Sequence, residues 1–123
     1  MSETVFSKII RREIPATVVY EDSDILGFQD IAPSAPIHIL FIPKNVVIPR
    51  LHDATIEQAP LLGKLLLAAA GYAKSQGFSE DGYRVVINCN GHGGQTVFHL
   101  HLHLLAGTPL GGFADAEMPT HTH

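Results

Sequence analysis

Residues 99–103 read His-Leu-His-Leu-His, which puts an imidazole at every second position. In an extended chain successive side chains point to opposite faces. His99, His101 and His103 therefore share one face, and Leu100, Leu102 and Leu104 share the other. Neighbouring rings would stand roughly 6.6 Å apart along such a strand. A single histidine in an apolar stretch is ordinarily a satisfied structural residue, but three in step on one face are not a packing choice. Two chemistries use this pattern. Alternating histidines hold zinc, with another ligand from a neighbouring strand. Alternatively, one imidazole is a nucleophile and its neighbours donate hydrogen bonds and protons. Spacing alone does not choose between them.

The segment ahead of the histidines favours the second chemistry. Gly91, Gly93 and Gly94, followed by Gln95 and Thr96, offer backbone N–H groups and a hydroxyl in a turn, which suits a phosphate. No carboxylate stands close in sequence to serve as the outer partner of a metal-bound imidazole. A fourth imidazole, His38, interrupts the apolar run Ile37-His38-Ile39-Leu40-Phe41-Ile42, where it needs a hydrogen-bond partner to offset desolvation. If that strand lies beside the histidine strand, His38 joins the triad. Asp30 follows an apolar run at the lip of a proline-rich turn, and its carboxylate is a good acceptor for a diol. Asn88 breaks the run Val85-Val86-Ile87, so its carboxamide needs partners.

These side chains need a scaffold. Residues 6–12 read as a short helix with Phe6, Ile9 and Ile10 on one side and Pro15 soon after its end. Residues 17–20 and 25–29 are β-leaning runs separated by Glu21-Asp22-Ser23-Asp24, which predicts a hairpin. Pro33-Ser34-Ala35-Pro36 precedes a strand over 37–42, which Pro43 ends. The main helix spans 61–76, with Leu62, Leu65, Leu66, Ala69 and Ala73 at helical spacing and Gly77 as a stop. Thr55 and Gln58 have capping-box spacing, yet Pro60 would then sit inside the helix, so a start nearer Ala59 is expected. Residues 83–89 form a strand, 90–94 a loop and 97–105 the last strand. The expectation is an α+β fold with an antiparallel meander.

Composition bounds the partners. The chain has 123 residues, enough for a real core without metal or disulfide staples, and is expected to be one domain with its core at about 4–110 and an extended tail over 111–123. Charged residues make up 16%, against a typical share of about 25%. A domain so poor in charge has difficulty covering its own surface, which points to self-association. The net charge of -4 argues against nucleic acid as a partner. Cys89 is the one cysteine and reads as a small buried apolar residue, so no intrachain disulfide forms and a reducing compartment fits. The first residues include Glu3 and lack the apolar run of a signal peptide, and the apolar stretch 61–73 is interrupted by Lys64. A soluble, cytoplasmic protein with no membrane partner is expected. His52 and His92 read as surface residues; His121 and His123 carry no motif.

These residues resemble the histidine-triad (HIT) family, and within it the Hint branch of nucleotide-binding proteins. The family signature is His-φ-His-φ-His-φ-φ, with φ apolar, and residues 99–105 read His-Leu-His-Leu-His-Leu-Leu. Phe6-Ser7-Lys8-Ile9-Ile10, Glu13-Ile14-Pro15-Ala16, Phe28-Gln29-Asp30-Ile31, Ala35-Pro36-Ile37-His38 and Gly93-Gly94-Gln95-Thr96-Val97 look like family segments in family order. The ending Gly107-Thr108-Pro109-Leu110-Gly111 is similar to bacterial members.

The resemblance implies a five-stranded antiparallel sheet with two helices, paired with its twin into a ten-stranded sheet. It also implies hydrolysis of purine nucleoside 5′-phosphoramidates through a nucleotidyl-histidine, with a purine nucleotide as ligand and neither metal nor cofactor. His101 would be the nucleophile, His99 and His103 would flank it, and His38 would complete the proton-handling group. Gln95 and Thr96, with Gly94 beside them, would contact the phosphate. Asn88 would sit at the ribose and phosphate edge, and Asp30 at the ribose hydroxyls. Phe6, Ile9, Phe28 and Ile31 would wall the purine pocket. Many Hint proteins have a histidine where Gln29 stands, so ribose and neighbouring contacts differ here. This chain also lacks the tryptophan that some members carry near the C-terminus. Two other readings remain: a dinucleoside polyphosphate hydrolase, and a nucleotide-binding or interaction module whose hydrolysis is incidental.

Overall fold

Thr4 starts the first helix by a reciprocal cap. Its hydroxyl accepts the N–H of Ser7 at 3.1 Å, and Ser7 Oγ accepts the N–H of Thr4 at 3.2 Å. Helix α1 follows as Val5–Ile10 in the computed structural model, which describes residues 3–112. Strands β1 (Val18–Glu21) and β2 (Ile25–Gln29) form the expected hairpin. Asp22 Oδ1 closes its turn by accepting the N–H groups of Asp24 and Ile25, both at 2.8 Å. Strand β3 is Ile37–Pro43. Helix α2, Ala59–Ser75, carries Pro60 in its first turn, where the missing N–H would have no helical partner anyway. The Thr55–Gln58 pair caps the 3₁₀ turn just ahead of α2, with Gln58 Oε1 accepting the Thr55 N–H at 2.9 Å. Strand β4 (Arg84–Val86), the one-turn helix α3 (Asn90–Gly93) and strand β5 (Leu102–Ala106) complete the order.

All pairings in the five-stranded sheet are antiparallel, and the strand order is β1-β2-β3-β5-β4. Each face has its own core. Leu65, Ala68, Ala69 and Ala73 of α2 pack with Ile25, Ile39, Phe41, Leu100, Leu102 and Leu104. On the other face Phe6 and Ile9 of α1 pack with Leu26, Phe28, Leu40 and Ile42. Gly27 lies opposite Phe41, where a Cβ would come within 2.9 Å of the ring. The alternation in 99–104 thus sends the leucines to the α2 side and leaves the histidines for the α1 side.

Five local expectations are corrected. The strand expected over 97–105 is ladder-paired only over Leu102–Ala106. Ahead of it, the Leu100 N–H goes to the carbonyl of Ile48 in a loop, which takes His99 and His101 out of the ladder while keeping the alternation of faces. The strand expected over 83–89 shortens to Arg84–Val86, because the chain turns into α3. That helix, expected as a loop, is opened by Asn90 at φ 58° and closed by Gly94 at φ 87°. On α2, Leu66 is exposed and Ala68 is buried in its place, because the stripe facing the sheet runs through residues 65, 68, 69 and 73. Cys89 is only partly buried, with Sγ 3.4 Å from Nδ1 of the exposed His52.

Candidate active site

Register brings His38 to His103. β3 pairs with β5 so that His38 lies opposite Leu105 and Leu40 opposite His103. The two histidines are therefore diagonal neighbours on one face. Nε2 of His38 stands 2.9 Å from Nδ1 of His103. A backbone amide decides which nitrogen donates. The Ser34 N–H donates to His38 Nδ1 at 2.9 Å, so in the neutral ring that nitrogen keeps its lone pair and Nε2 carries the proton. His38 Nε2–H then donates to His103 Nδ1, which leaves the His103 proton on Nε2. Nδ2 of Asn88 lies 3.5 Å from that Nε2.

A carbonyl does the same for His101. Nδ1 of His101 is 2.7 Å from the carbonyl oxygen of His99. A carbonyl only accepts, so Nδ1 carries the proton and Nε2 has a free lone pair. His101 and His103 line a cavity of about 320 Å³, with their ring centroids 4.9 Å apart. Phe6, Ile9, Phe28, Gln29, Asp30, Ile31 and Thr96 line it too. Phe6 meets His101 edge-on at 5.0 Å and Phe28 at 5.4 Å. Ile31 is 96% exposed, an apolar side chain left uncovered at the cavity. Thr96 and Val97 also line the cavity, and among the described residues no protein acceptor takes their N–H groups.

Asp30 stands at the cavity wall, whereas Gln95, Gly94 and His99, also singled out in the sequence, lie outside its lining. Asp30 Oδ1 accepts the Ala32 N–H at 2.8 Å, and Oδ2 lies 3.4 Å from His38 Nε2. Gln95 is buried and does not line the cavity. Its Oε1 accepts the Asn90 N–H, and its amide donates to the carbonyls of Pro49 and Val97. Both donors are thus engaged, and the side chain braces the turn. Gly94 sits beside Asn88, outside the cavity lining. His99 is fully buried and is likewise not part of the lining. Sequence reasoning missed Val5, Ile14, Pro15, Ala16, Leu40 and Val97 as wall residues and Ser34 as the amide that orients His38. The proline-rich setting of Ser34 signals a turn, but only the fold shows which ring that turn meets.

Burial pushes the side chains of His38, His99, His101 and His103 below the ordinary imidazole value. His103 falls furthest, to about 4, through desolvation and then the neighbouring His101 and His38. Asp30 acts in the opposite direction on His38, His101 and His103. The unfolded chain takes up these protons near pH 6.5, the folded chain only at lower pH. In that window the unfolded state holds more protons, so stability rises with pH. Urea midpoints should be flat above about pH 7 and fall between about pH 6.5 and 4. His103→Asn should reduce that slope. Equal acid sensitivity in wild type and variant would show that other groups carry it.

Comparison with known proteins agrees with the fold. The model of the HIT domain matches residues 11–110, which span β1 to β5 and include His38, His99, His101 and His103. The chain is 53% identical over 109 residues to the purine nucleoside phosphoramidase of Escherichia coli (strain K12), covering 89% of this chain and 91% of that protein. It is 52% identical over 107 residues to the 14 kDa zinc-binding protein of Zea mays, covering 86% and 83%. Among solved structures, a histidine triad protein from Clostridium difficile superposes with a TM-score of 0.87 at 40% identity, covering 93% of this chain and all of that one. A domain match over most of the chain, joined to the same fold in a relative of this identity, establishes that the chain belongs to the HIT domain family.

Proposed function

We propose that this protein hydrolyses purine nucleoside 5′-phosphoramidates through a nucleotide bound covalently to His101. One observation carries the reading. Nδ1 of His101 is held by a carbonyl, which leaves a neutral, unprotonated Nε2 on a ring that lines the cavity. The name of the Escherichia coli relative supports the substrate class. The apolar walls Phe6, Ile9, Phe28 and Ile31 suit a purine face, the free N–H groups of Thr96 and Val97 suit phosphoryl oxygens, and Asp30 suits the ribose hydroxyls.

The anionic phosphoryl group favours a protonated neighbour, so the His38–His103 pair takes up one proton as substrate enters. Nε2 of His101 attacks phosphorus, the P–N bond to the amine breaks, and the proton of the pair passes through His103 Nε2 to the departing nitrogen. Water then attacks phosphorus, the P–N bond to His101 breaks, and the pair recovers a proton from that water. Purified protein should turn over an adenosine 5′-phosphoramidate in the presence of a chelator, and faster than diadenosine polyphosphates. Faster polyphosphate cleavage, or AMP binding without turnover, would replace the reading. A second reading has one observation behind it: donor atoms of Asp30, His38 and His103 lie within 4.8 Å of one another, as a cation site requires. Stoichiometric zinc whose removal ends turnover would establish it.

A symmetric homodimer belongs to the same proposal. β4 is an edge of the sheet, with Val85 38% exposed, and α2 exposes Leu66 and Leu67. Pairing two copies would continue the sheet to ten strands. Sedimentation at micromolar concentration should give a dimer, and a monomer there would refute it. No helix among the described residues is long and apolar enough to cross a membrane. The single cysteine, which allows no intrachain disulfide, fits a reducing compartment such as the cytoplasm.

A further inference from the structure

His99 is the triad member that the cavity does not use, yet both of its nitrogens are engaged. Nε2 lies 3.4 Å from the carbonyl of Pro43, and Nδ1 lies 2.8 Å from the hydroxyl of Thr4. The carbonyl only accepts, so His99 carries its proton on Nε2 and the Thr4 hydroxyl donates to Nδ1. The same Thr4 oxygen accepts the Ser7 N–H and caps α1. α1 carries Phe6 and Ile9, two walls of the cavity, and the Phe6 ring meets both His99, at 5.7 Å, and His101, at 5.0 Å. The carbonyl of His99 meanwhile holds Nδ1 of His101. One buried residue is therefore clamped through its ring to the base-binding helix and through its carbonyl to the attacking imidazole.

We propose that Thr4 is a positioning residue: its hydroxyl, through His99, sets the base-binding wall on α1 at the distance from His101 that attack on phosphorus requires. The proposal rests on His101 being the nucleophile. A bound nucleotide would be held at two ends, by its base against Phe6 and Ile9 and by its phosphorus at His101. Attack needs the reacting atoms about 3–3.5 Å apart and aligned. Contact of the base with apolar walls is non-directional and tolerates a small shift, whereas attack does not. α1 has six residues, too few to hold its place by helix propensity. Without the Thr4 link its two apolar anchors still bury, but they no longer fix its position along the sheet. The error then falls on the phosphorus.

Capping alone and linkage to His99 make different demands. Glycine at the cap position costs a helix only a few tenths of a kcal/mol relative to threonine, but it offers no hydroxyl to His99. Thr4→Ser, Thr4→Gly and Thr4→Val should be compared in the full chain, with active sites counted from the burst of nucleotidylated protein. Thr4→Ser should stay within about twofold of wild type. Thr4→Gly and Thr4→Val should both lose about 10–10²-fold in kcat per active site, with KM and the Kd for AMP changed less than about threefold. The ³¹P resonance of bound AMP should move in these two variants and not in Thr4→Ser. Wild-type kcat per site in Thr4→Gly would mean a capping role only. Fewer active sites at unchanged kcat would mean a stability role only. Either result overturns the proposal. If wild type binds AMP without turnover, the nucleophile reading fails, and an unmoved ³¹P resonance in Thr4→Gly then overturns the role of Thr4 as well.

Discussion

His101→Ala should lower turnover of an adenosine phosphoramidate by at least about 10⁴-fold while AMP still binds within a few-fold of wild type. The loss is large because no other group replaces the nucleophile. Nδ1 of His101 is committed to the His99 carbonyl, so only Nε2 can attack, and the His103 ring keeps its lone pair for His38. Hydrolysis through His101 exchanges one P–N bond for another, which keeps the first step nearly balanced in energy. Binding survives because the apolar walls and the N–H groups of Thr96 and Val97 are untouched. Rapid quenching of wild type under turnover should trap a nucleotide on His101. Near-normal turnover in His101→Ala, or a nucleotide trapped on a different residue, would remove the assignment.

His103→Asn and His38→Asn should each slow the reaction by about 10²–10³-fold, less than the loss of His101. The effect follows from the 2.9 Å bond between the rings and the Ser34 amide behind them, which together leave a proton on His103 Nε2 for the leaving nitrogen. Because the two imidazoles act as one unit, the double variant should be no more than a few-fold slower than either single one. The penalty should also shrink when the leaving amine is a weakly basic arylamine, which departs without full protonation. A penalty that is the same for alkyl and aryl amines would show that the pair positions substrate rather than supplying a proton.

Much of the scaffold was legible because its signals are local. The hairpin of β1 and β2, the strand ended by Pro43 and the helix beginning at Ala59 follow from alternation, proline and turn chemistry within a few residues of each element. The alternation in 99–105 placed Leu100, Leu102 and Leu104 in a core, where all three are buried. What failed locally failed for a tertiary reason. Residues 97–101 have the composition of a strand, but the Leu100 N–H pairs with Ile48 from a distant loop.

The candidate site divides the same way. Residue types and spacing by themselves marked His99, His101 and His103 as unusual, because three imidazoles at period two have no packing rationale, and marked His38 only as a ring in an apolar strand that needs a hydrogen-bond partner. Only the fold separated their environments. The register of β3 on β5 put His38 on His103, the Ser34 amide set the tautomers of that pair, and the Thr4 cap closed His99 away from the cavity that His101 lines. Gln95 was marked by its sequence neighbours as a phosphate contact, yet carbonyls of Pro49 and Val97 take both of its donors. Sequence fixes which groups can donate, accept or attack. Which partner each group meets depends on contacts between residues 65 positions apart for His38 and His103 and 95 apart for Thr4 and His99, and such pairings exist only once the chain has packed.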